Sequence, residues 1–143
     1  MPVRKAEAVW QGKLRDGKGN MRFGSGAYDG AYSFVSRFEE GPGTNPEELI
    51  GAAHAGCFSM AFAGQLERAG HVPERISTNA RVHIERQESG FKITRVELFT
   101  EGVVPGIDEA KFREVANGAK ENCPVSRALA GVDITVEAKL VQK

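Results

Sequence analysis

Two thiols, Cys57 and Cys123, and an imidazole, His54, three residues before the first thiol, are the side chains whose types and spacing could carry chemistry. A lone cysteine most often serves as a small buried hydrophobe. Two cysteines in a chain without a secretory start point to redox chemistry, catalysis or an inert core role rather than to a structural disulfide. His54 and Cys57 share a helix face if the segment is helical. A Cys–His pair is the minimum equipment of a cysteine hydrolase or acyl transferase. The three histidines show no metal-ligand spacing with the cysteines or with one another, so no metal and no cofactor is expected.

The element that must carry the first thiol runs from Gly43 to Gly70 and reads as one long helix. Asn45 is a good N-cap, Pro46 falls at the first helical position, and Glu48 has the spacing of a capping box. Gly70 suits the left-handed stop. Gly51 to Gly56 is almost all small residues, which predicts a thin helix against which another backbone packs closely. Each helical glycine costs about 1 kcal/mol relative to alanine.

Before this helix, residues 6–14, 21–25 and 31–37 read as an antiparallel meander, with Trp10 in the core and turns at residues 15–20 and 26–30. After it, Ile76, Thr78, Ala80, Val82 and Ile84 alternate as a half-buried strand, and Gln87 to Gly90 make a hairpin turn. The next strand changes phase near Arg95, which predicts a bulge. Asp108 caps a second helix with apolar positions Phe112, Val115, Ala116 and Ala119, although Asn117 and Gly118 interrupt its pattern. Cys123 stands before Pro124, so a short helix starts there with Cys123 at its N-cap. Residues 132–140 alternate as a last strand. The order is β-β-β-α-β-β-α-β, an α+β fold of antiparallel sheets and helices in a single domain covering 1–143.

Composition narrows the function. The chain has 19 basic and 19 acidic residues, and no basic stripe, so nucleic acid is not expected as a partner. The apolar runs are shorter than about 18 residues, so no membrane span is expected. The start lacks the apolar core of a signal peptide, and a cytoplasmic location follows as the expectation.

The segments Arg37 to Glu40, Gly43 to Ala61 and Cys123 to Ser126 together closely resemble the OsmC branch of the OsmC/Ohr family, the osmotically inducible and organic hydroperoxide resistance proteins. The resemblance covers essentially the whole chain. It implies an intertwined homodimer and a thiol-dependent peroxidase that reduces organic hydroperoxides, and hydrogen peroxide more weakly. By motif match, Cys57 is the attacking cysteine, Cys123 the resolving cysteine, and Arg37 with Glu47 the activating pair. Recycling by a dithiol is implied, with a lipoylated protein as the candidate reductant.

The chemistry asks for these types. A thiol must ionise to cut an O–O bond, although a free cysteine titrates near about 8.5. A guanidinium favours the thiolate and stabilises charge on the leaving oxygen, and a carboxylate holds the guanidinium fork. The sulfenic acid formed over-oxidises unless a second thiol condenses with it. Glu47 precedes Cys57 by ten residues, about 15 Å of helical rise and about 80° in direction, so it cannot touch the sulfur on its own helix. Arg37 and Glu47 are therefore expected to serve the Cys57 of a partner subunit. Phe38, Phe58 and Phe62 are either plain core or the lining of an apolar substrate pocket. Two other readings stay open: a Cys57/His54 hydrolase, and a non-catalytic redox-sensing or binding dimer.

Overall fold

The computed structural model describes residues 2–141. It contains two three-stranded sheets and four helices, a mixed α+β fold, and divides into two compact units, Met1–Leu49 and Ile50–Lys143.

The first unit is the expected meander. Strands β1 (Ala6–Gln11), β2 (Lys18–Phe23) and β3 (Asp29–Tyr32) pair antiparallel in the order β1-β2-β3. β2 starts three residues earlier than its alternation suggested, inside the expected turn. Gly19 explains this: it lies opposite both Trp10 and Tyr32, and a Cβ there would stand 2.5 Å from the Tyr32 ring. The two rings close over the glycine with centroids 5.5 Å apart. Trp10 is half-buried there, not a core residue.

The third strand is shorter than expected. It stops at Tyr32, and residues 34–38 form a helix, α1 (Phe34–Phe38). The cause is a reciprocal cap. Ser36 N donates to Ser33 Oγ at 3.1 Å, and Ser33 N donates to Ser36 Oγ at 2.8 Å. Serine takes the place that glutamate or glutamine usually holds in this motif. The unit ends with the start of the long helix α2 (Pro46–Arg68), capped as expected by Asn45, whose Oδ1 accepts from Glu48 N at 2.7 Å. The Glu48 carboxylate accepts instead from Thr44 Oγ1.

In the second unit, α2 closes with a Schellman motif. Gly70 N donates to Glu67 O at 3.0 Å and His71 N to Leu66 O at 2.9 Å, with Gly70 at φ +90°. Strands β4 (Arg75–Gln87) and β5 (Gly90–Val103) form the long hairpin. The expected bulge is present: His83 pairs with Arg95 but Ile84 with Ile93, which leaves Thr94 as the extra residue.

Helix α3 (Glu109–Asn122) runs straight through Asn117 and Gly118, and helix α4 (Pro124–Ala128) follows at once. Asn117 Nδ2 donates back to Arg113 O at 3.1 Å, and Gly118 leaves room for Gln65, whose Oε1 would lie 2.9 Å from a Cβ. The last strand, β6 (Asp133–Leu140), corrects the expected topology. It pairs with β5 in parallel, not antiparallel. A parallel partner needs a long crossover, and the α3–α4 segment supplies it.

The core of this unit joins Phe58, Phe62 and Leu66 of α2 to Val96 and Leu98 of β5 and to Phe112, Val115, Ala116 and Ala119 of α3. α2 also faces β4: a Cβ on Gly51 would meet Val82 at 3.4 Å and Ala80 at 3.8 Å. These are ordinary van der Waals separations, so the close approach of another backbone expected from the small-residue stretch is not seen at Gly51 among the described residues. A Cβ on Gly56 would meet nothing within 4 Å.

Contrary to the sequence expectation, α2 does have the length and mean hydropathy, 1.2, of a membrane-crossing helix. Two glutamates occupy its first turn, and His54, Phe58, Phe62 and Leu66 along it are fully buried. One face of α2 therefore belongs to the core, while Ala52, Ala53, Gly56 and Met60 on it are exposed.

Candidate active site

The structure brings the candidate residues together in two pairs, one in each unit. In the first unit, α1 presents Arg37 in its last turn and α2 presents Glu47 in its first. Arg37 Nε donates to Glu47 Oε1 and Arg37 Nη2 to Glu47 Oε2, both at 2.9 Å. This two-pronged geometry holds a guanidinium plane in one orientation. Nη1 is the nitrogen this pair does not consume. The guanidinium also sits 5.1 Å above the Phe38 ring.

The link between the helices sets this arrangement. Ser36 Oγ donates to Thr44 O at 2.7 Å, and Asn45 Nδ2 donates to Ser36 O at 3.0 Å. Glu47 is buried while Arg37 keeps about a third of its side chain exposed, so the cation faces outward from an anchored carboxylate.

In the second unit the 66-residue separation of the cysteines collapses to contact. Cys123 Sγ and Cys57 Sγ lie 3.0 Å apart, in hydrogen-bonding contact, and both are free thiols. A disulfide requires about 2.05 Å, so the sulfurs stand about 1 Å from bonding distance. Cys57 is half-buried in the middle of α2, and Cys123 is fully buried where α3 ends and α4 begins.

Burial pushes the Cys57 thiol up, and its hydrogen-bonding contact with Cys123 pushes it further, against a smaller opposing pull from the Val125 backbone. Burial also pushes Cys123 up, but its contact with Cys57, the backbone of Ser126 and Val125, and the Ser126 hydroxyl together bring it below its ordinary value. No side-chain capping hydrogen bond closes on the Cys123 sulfur. Thiols this close titrate together, and the first ionisation is easier than the second. None of the groups that act on Cys57 is a cation, and the opposite directions of the two shifts make Cys123 the easier thiol to ionise.

His54 does not engage Cys57. Its Nε2 lies 2.7 Å from Ser126 Oγ, and its Nδ1 is buried without a partner. Burial lowers its pKa below 6.5 and holds it neutral. Spacing alone placed His54 beside the thiol, whereas the contact that forms is with α4. Ser126 was visible in the sequence only as part of the Cys123 to Ser126 motif; its partnership with His54 spans 72 residues and left no local signal.

Phe58 and Phe62 have no exposed surface. They are core side chains, the first of the two readings given for them, with the Phe62 and Phe112 ring centroids 4.9 Å apart and tilted by 56°. Phe38 alone of the three keeps accessible surface. Among the described residues no cluster of three His, Cys, Asp or Glu side chains could hold a metal ion.

A long thiol-bearing helix lying on a three-stranded sheet, with a second thiol delivered to it by a crossover, defines the class of fold. The family model for OsmC-like protein matches residues 39–137, so Glu47, Cys57 and Cys123 fall inside the match and Arg37 two residues before it. The chain belongs to this family. It is 45% identical over 138 residues to the peroxiredoxin OsmC of Escherichia coli K12, a match that covers 96% of each chain. It is 37% identical over 98 residues to an organic hydroperoxide resistance protein of Xanthomonas axonopodis pv. citri, covering 67% of each. Among solved structures, the organic hydroperoxide resistance protein OhrB of Bacillus subtilis superposes with a TM-score of 0.74 at 28% identity, covering 94% of this chain and 97% of that one.

Proposed function

We propose that this chain is a thiol-dependent peroxidase that reduces organic hydroperoxides and, more weakly, hydrogen peroxide. The observation that carries the reading is the 3.0 Å approach of two free sulfurs that lie 66 residues apart. The relatives' names, peroxiredoxin and organic hydroperoxide resistance protein, support the same chemistry.

In the first step the Cys57 thiolate attacks one oxygen of the hydroperoxide. The O–O bond breaks, Cys57 becomes a sulfenic acid, and the alkoxide leaves as alcohol after taking a proton. In the second step Cys123 sulfur attacks the Cys57 sulfenic sulfur, the S–O bond breaks, and water leaves. A dithiol then reduces the disulfide and is itself oxidised; a lipoylated protein is the candidate reductant. No cofactor enters any step.

Cys57 needs a cation that its own surroundings do not supply. Arg37, oriented by Glu47, is the cation of the right kind, and we assign it to the Cys57 of the partner in a homodimer. Nη1 is then the donor available to the peroxide oxygens. The two units act as one domain in this scheme, and the enzyme works in the cytoplasm without nucleic acid or membrane partners.

The test uses reduced protein and one equivalent of cumene hydroperoxide. The expected result is loss of both thiols, a mass lower by two hydrogens and a mapped Cys57–Cys123 bridge, followed by turnover on adding dihydrolipoate. Survival of both thiols overturns the reading. Oxidation without turnover points to a redox sensor instead. The hydrolase reading has less support, because neither nitrogen of His54 hydrogen-bonds the Cys57 sulfur.

A further inference from the structure

The peroxidase scheme leaves one buried polar pair without a task. His54 is fully buried in the middle of α2; its Nε2 lies 2.7 Å from the Ser126 hydroxyl and its Nδ1 has no partner. Ser126 is itself buried, in the first turn of α4. A buried polar group with a bond unmade is costly, and two apolar side chains of similar shape would avoid that cost. The pair therefore calls for an explanation other than stability.

Its place on the two thiol-bearing segments supplies one. His54 stands three residues before Cys57, and Ser126 three residues after Cys123. The segments thus meet at two points, sulfur on sulfur at 3.0 Å and imidazole on hydroxyl at 2.7 Å. Along α2 these points are about 4.5 Å of rise and about 60° apart. All four residues belong to the same unit.

The second segment needs such a point. Pro124 drives Cys123 out of helical backbone, to φ −66° and ψ 120°, so Cys123 sits at a joint between α3 and α4. Beyond the joint, α4 has five residues, too few to be stable alone. Arg127 ties it back to the end of α3, through Glu121 O at 3.2 Å and Asn122 Oδ1 at 3.3 Å. Val125 and Leu129 pack on the core, but apolar contact is non-directional. Among the described residues, the side-chain hydrogen bond that joins α4 to α2 is the one between Ser126 and His54. A hydrogen bond constrains distance and angle together. A segment held at the sulfurs alone can swivel about them, and a directional contact one turn away stops that motion.

We propose that the His54–Ser126 hydrogen bond is the pin that holds the Cys123 joint in register on the Cys57 helix, which makes both side chains positioning residues for disulfide closure. This rests on Cys123 acting as the resolving thiol in the peroxidase scheme. In that step the Cys123 sulfur forms the S–S bond with Cys57 as the S–O bond of the sulfenic acid breaks. Cys123 is oxidised, the sulfenic sulfur is reduced, and the hydroxide released takes up the Cys123 proton and leaves as water. The sulfurs must close from 3.0 Å to about 2.05 Å, and a misplacement of about 1 Å can cost about 100-fold in rate. The pin needs no proton exchange and no contact with either sulfur. It acts through position, and with it broken the sulfenic acid waits longer for its partner.

Closure kinetics of the full chain test this. After one equivalent of cumene hydroperoxide, the lifetime of the Cys57 sulfenic acid is read by trapping with dimedone at timed intervals. Ser126→Ala and His54→Leu are each expected to slow closure about tenfold relative to Cys57 oxidation, the size of one net hydrogen bond. The double variant is expected to be no slower than either single, because both remove the same bond. His54→Gln, whose amide nitrogen can stand where Nε2 stood, is expected to recover most of the rate. A merely structural role would lower denaturant midpoints but give neither this non-additivity nor this rescue. An unmoved closure rate in Ser126→Ala, a double variant slowed by the product of the singles, or a His54→Gln chain as slow as His54→Leu overturns the proposal. If peroxide leaves the unaltered chain's thiols intact, the peroxidase reading falls, and the pin is decided with oxidised glutathione instead. The half-buried Cys57 then takes a mixed disulfide, Cys123 displaces glutathione from it, and the same variants are compared for that displacement. Should His54→Leu fail to fold, Ser126→Ala, which removes one oxygen, decides by its closure rate.

Discussion

Each cysteine has its own failure signature. Cys57→Ser is expected to abolish hydroperoxide consumption, measured by loss of cumene hydroperoxide. Cys123→Ser is expected to let Cys57 oxidise and then stall: its mass rises by one oxygen, then by two and three as the sulfenic acid climbs the oxidation ladder. If Cys123→Ser instead turns over with dihydrolipoate as fast as the unaltered chain, Cys123 is not the resolving thiol. Arg37 is more demanding than its exposure suggests. Two of its nitrogens are committed to Glu47, and lysine cannot reproduce that fork. Arg37→Lys should therefore lose most of what Arg37→Ala loses, a drop in kcat/KM of roughly 100-fold, the usual size for removing one donor to a developing anion. Glu47→Gln should fall between them and the parent, because an amide oxygen can still accept one of the two bonds.

At the level of elements, α2 positions the chemistry and its stability depends on pH through His54. Burial depresses the His54 pKa in the folded chain below the 6.5 of the unfolded one. Between these values the unfolded state takes a proton that the native state refuses. The stabilisation is thus fully present above about pH 6.5 and declines as pH falls, by up to about 1.4 kcal/mol per pH unit until the lower native pKa is reached. Denaturant midpoints from pH 7.5 to 5 should show this slope, and His54→Gln should flatten it; equal slopes would remove His54 as the cause. The end of α2 has its own test. Gly70 sits at φ +90° with nothing within 4 Å of a would-be Cβ, so Gly70→Ala meets no clash and pays only the left-handed backbone penalty. The expected loss is about 1–2 kcal/mol, read by urea denaturation. In β5, by contrast, a Cβ on Gly102 would stand 2.7 Å from the Phe112 ring. Gly102→Ala should cost more, through displacement of a core aromatic.

For the molecule as a whole, the testable statement is that activity belongs to a pair of chains. Sedimentation velocity of the reduced protein should give a dimer. Mixing inactive Cys57→Ser chains with inactive Arg37→Ala chains should regain activity, because one hybrid site then holds an intact Cys57 and a partner's intact Arg37. No recovery on mixing, with hybrids verified by mass, would return Arg37 and Glu47 to their own chain or remove them from the mechanism. The exposed face of α2 bears Ala52, Ala53, Gly56 and Met60, and a Cβ on Gly56 would meet nothing within 4 Å among the described residues.

Local sequence was enough for whatever depends on neighbours along the chain. Asn45, Pro46 and Gly70 bounded α2, Asp108 began α3, Cys123 and Pro124 began α4, and the phase change near Arg95 marked the bulge, because caps, turns and alternation act over a few residues. The long motif around Cys57 was likewise enough to place the chain in its family. The serine-for-glutamate cap that turns residues 34–38 into a helix was local too, but in an unusual residue type. Tertiary structure alone decided the rest. Alternation in residues 132–140 is the same for a parallel and an antiparallel partner, so only the crossover through α3 and α4 chose the parallel pairing of β6. Helical spacing put His54 beside Cys57, but packing turned it to Ser126, since a side chain's partner depends on which elements meet and not on its place in the sequence. The contact of Cys57 with Cys123 is of the same kind: 66 residues separate the thiols, and the folded path of the chain between them sets the 3.0 Å at which they meet.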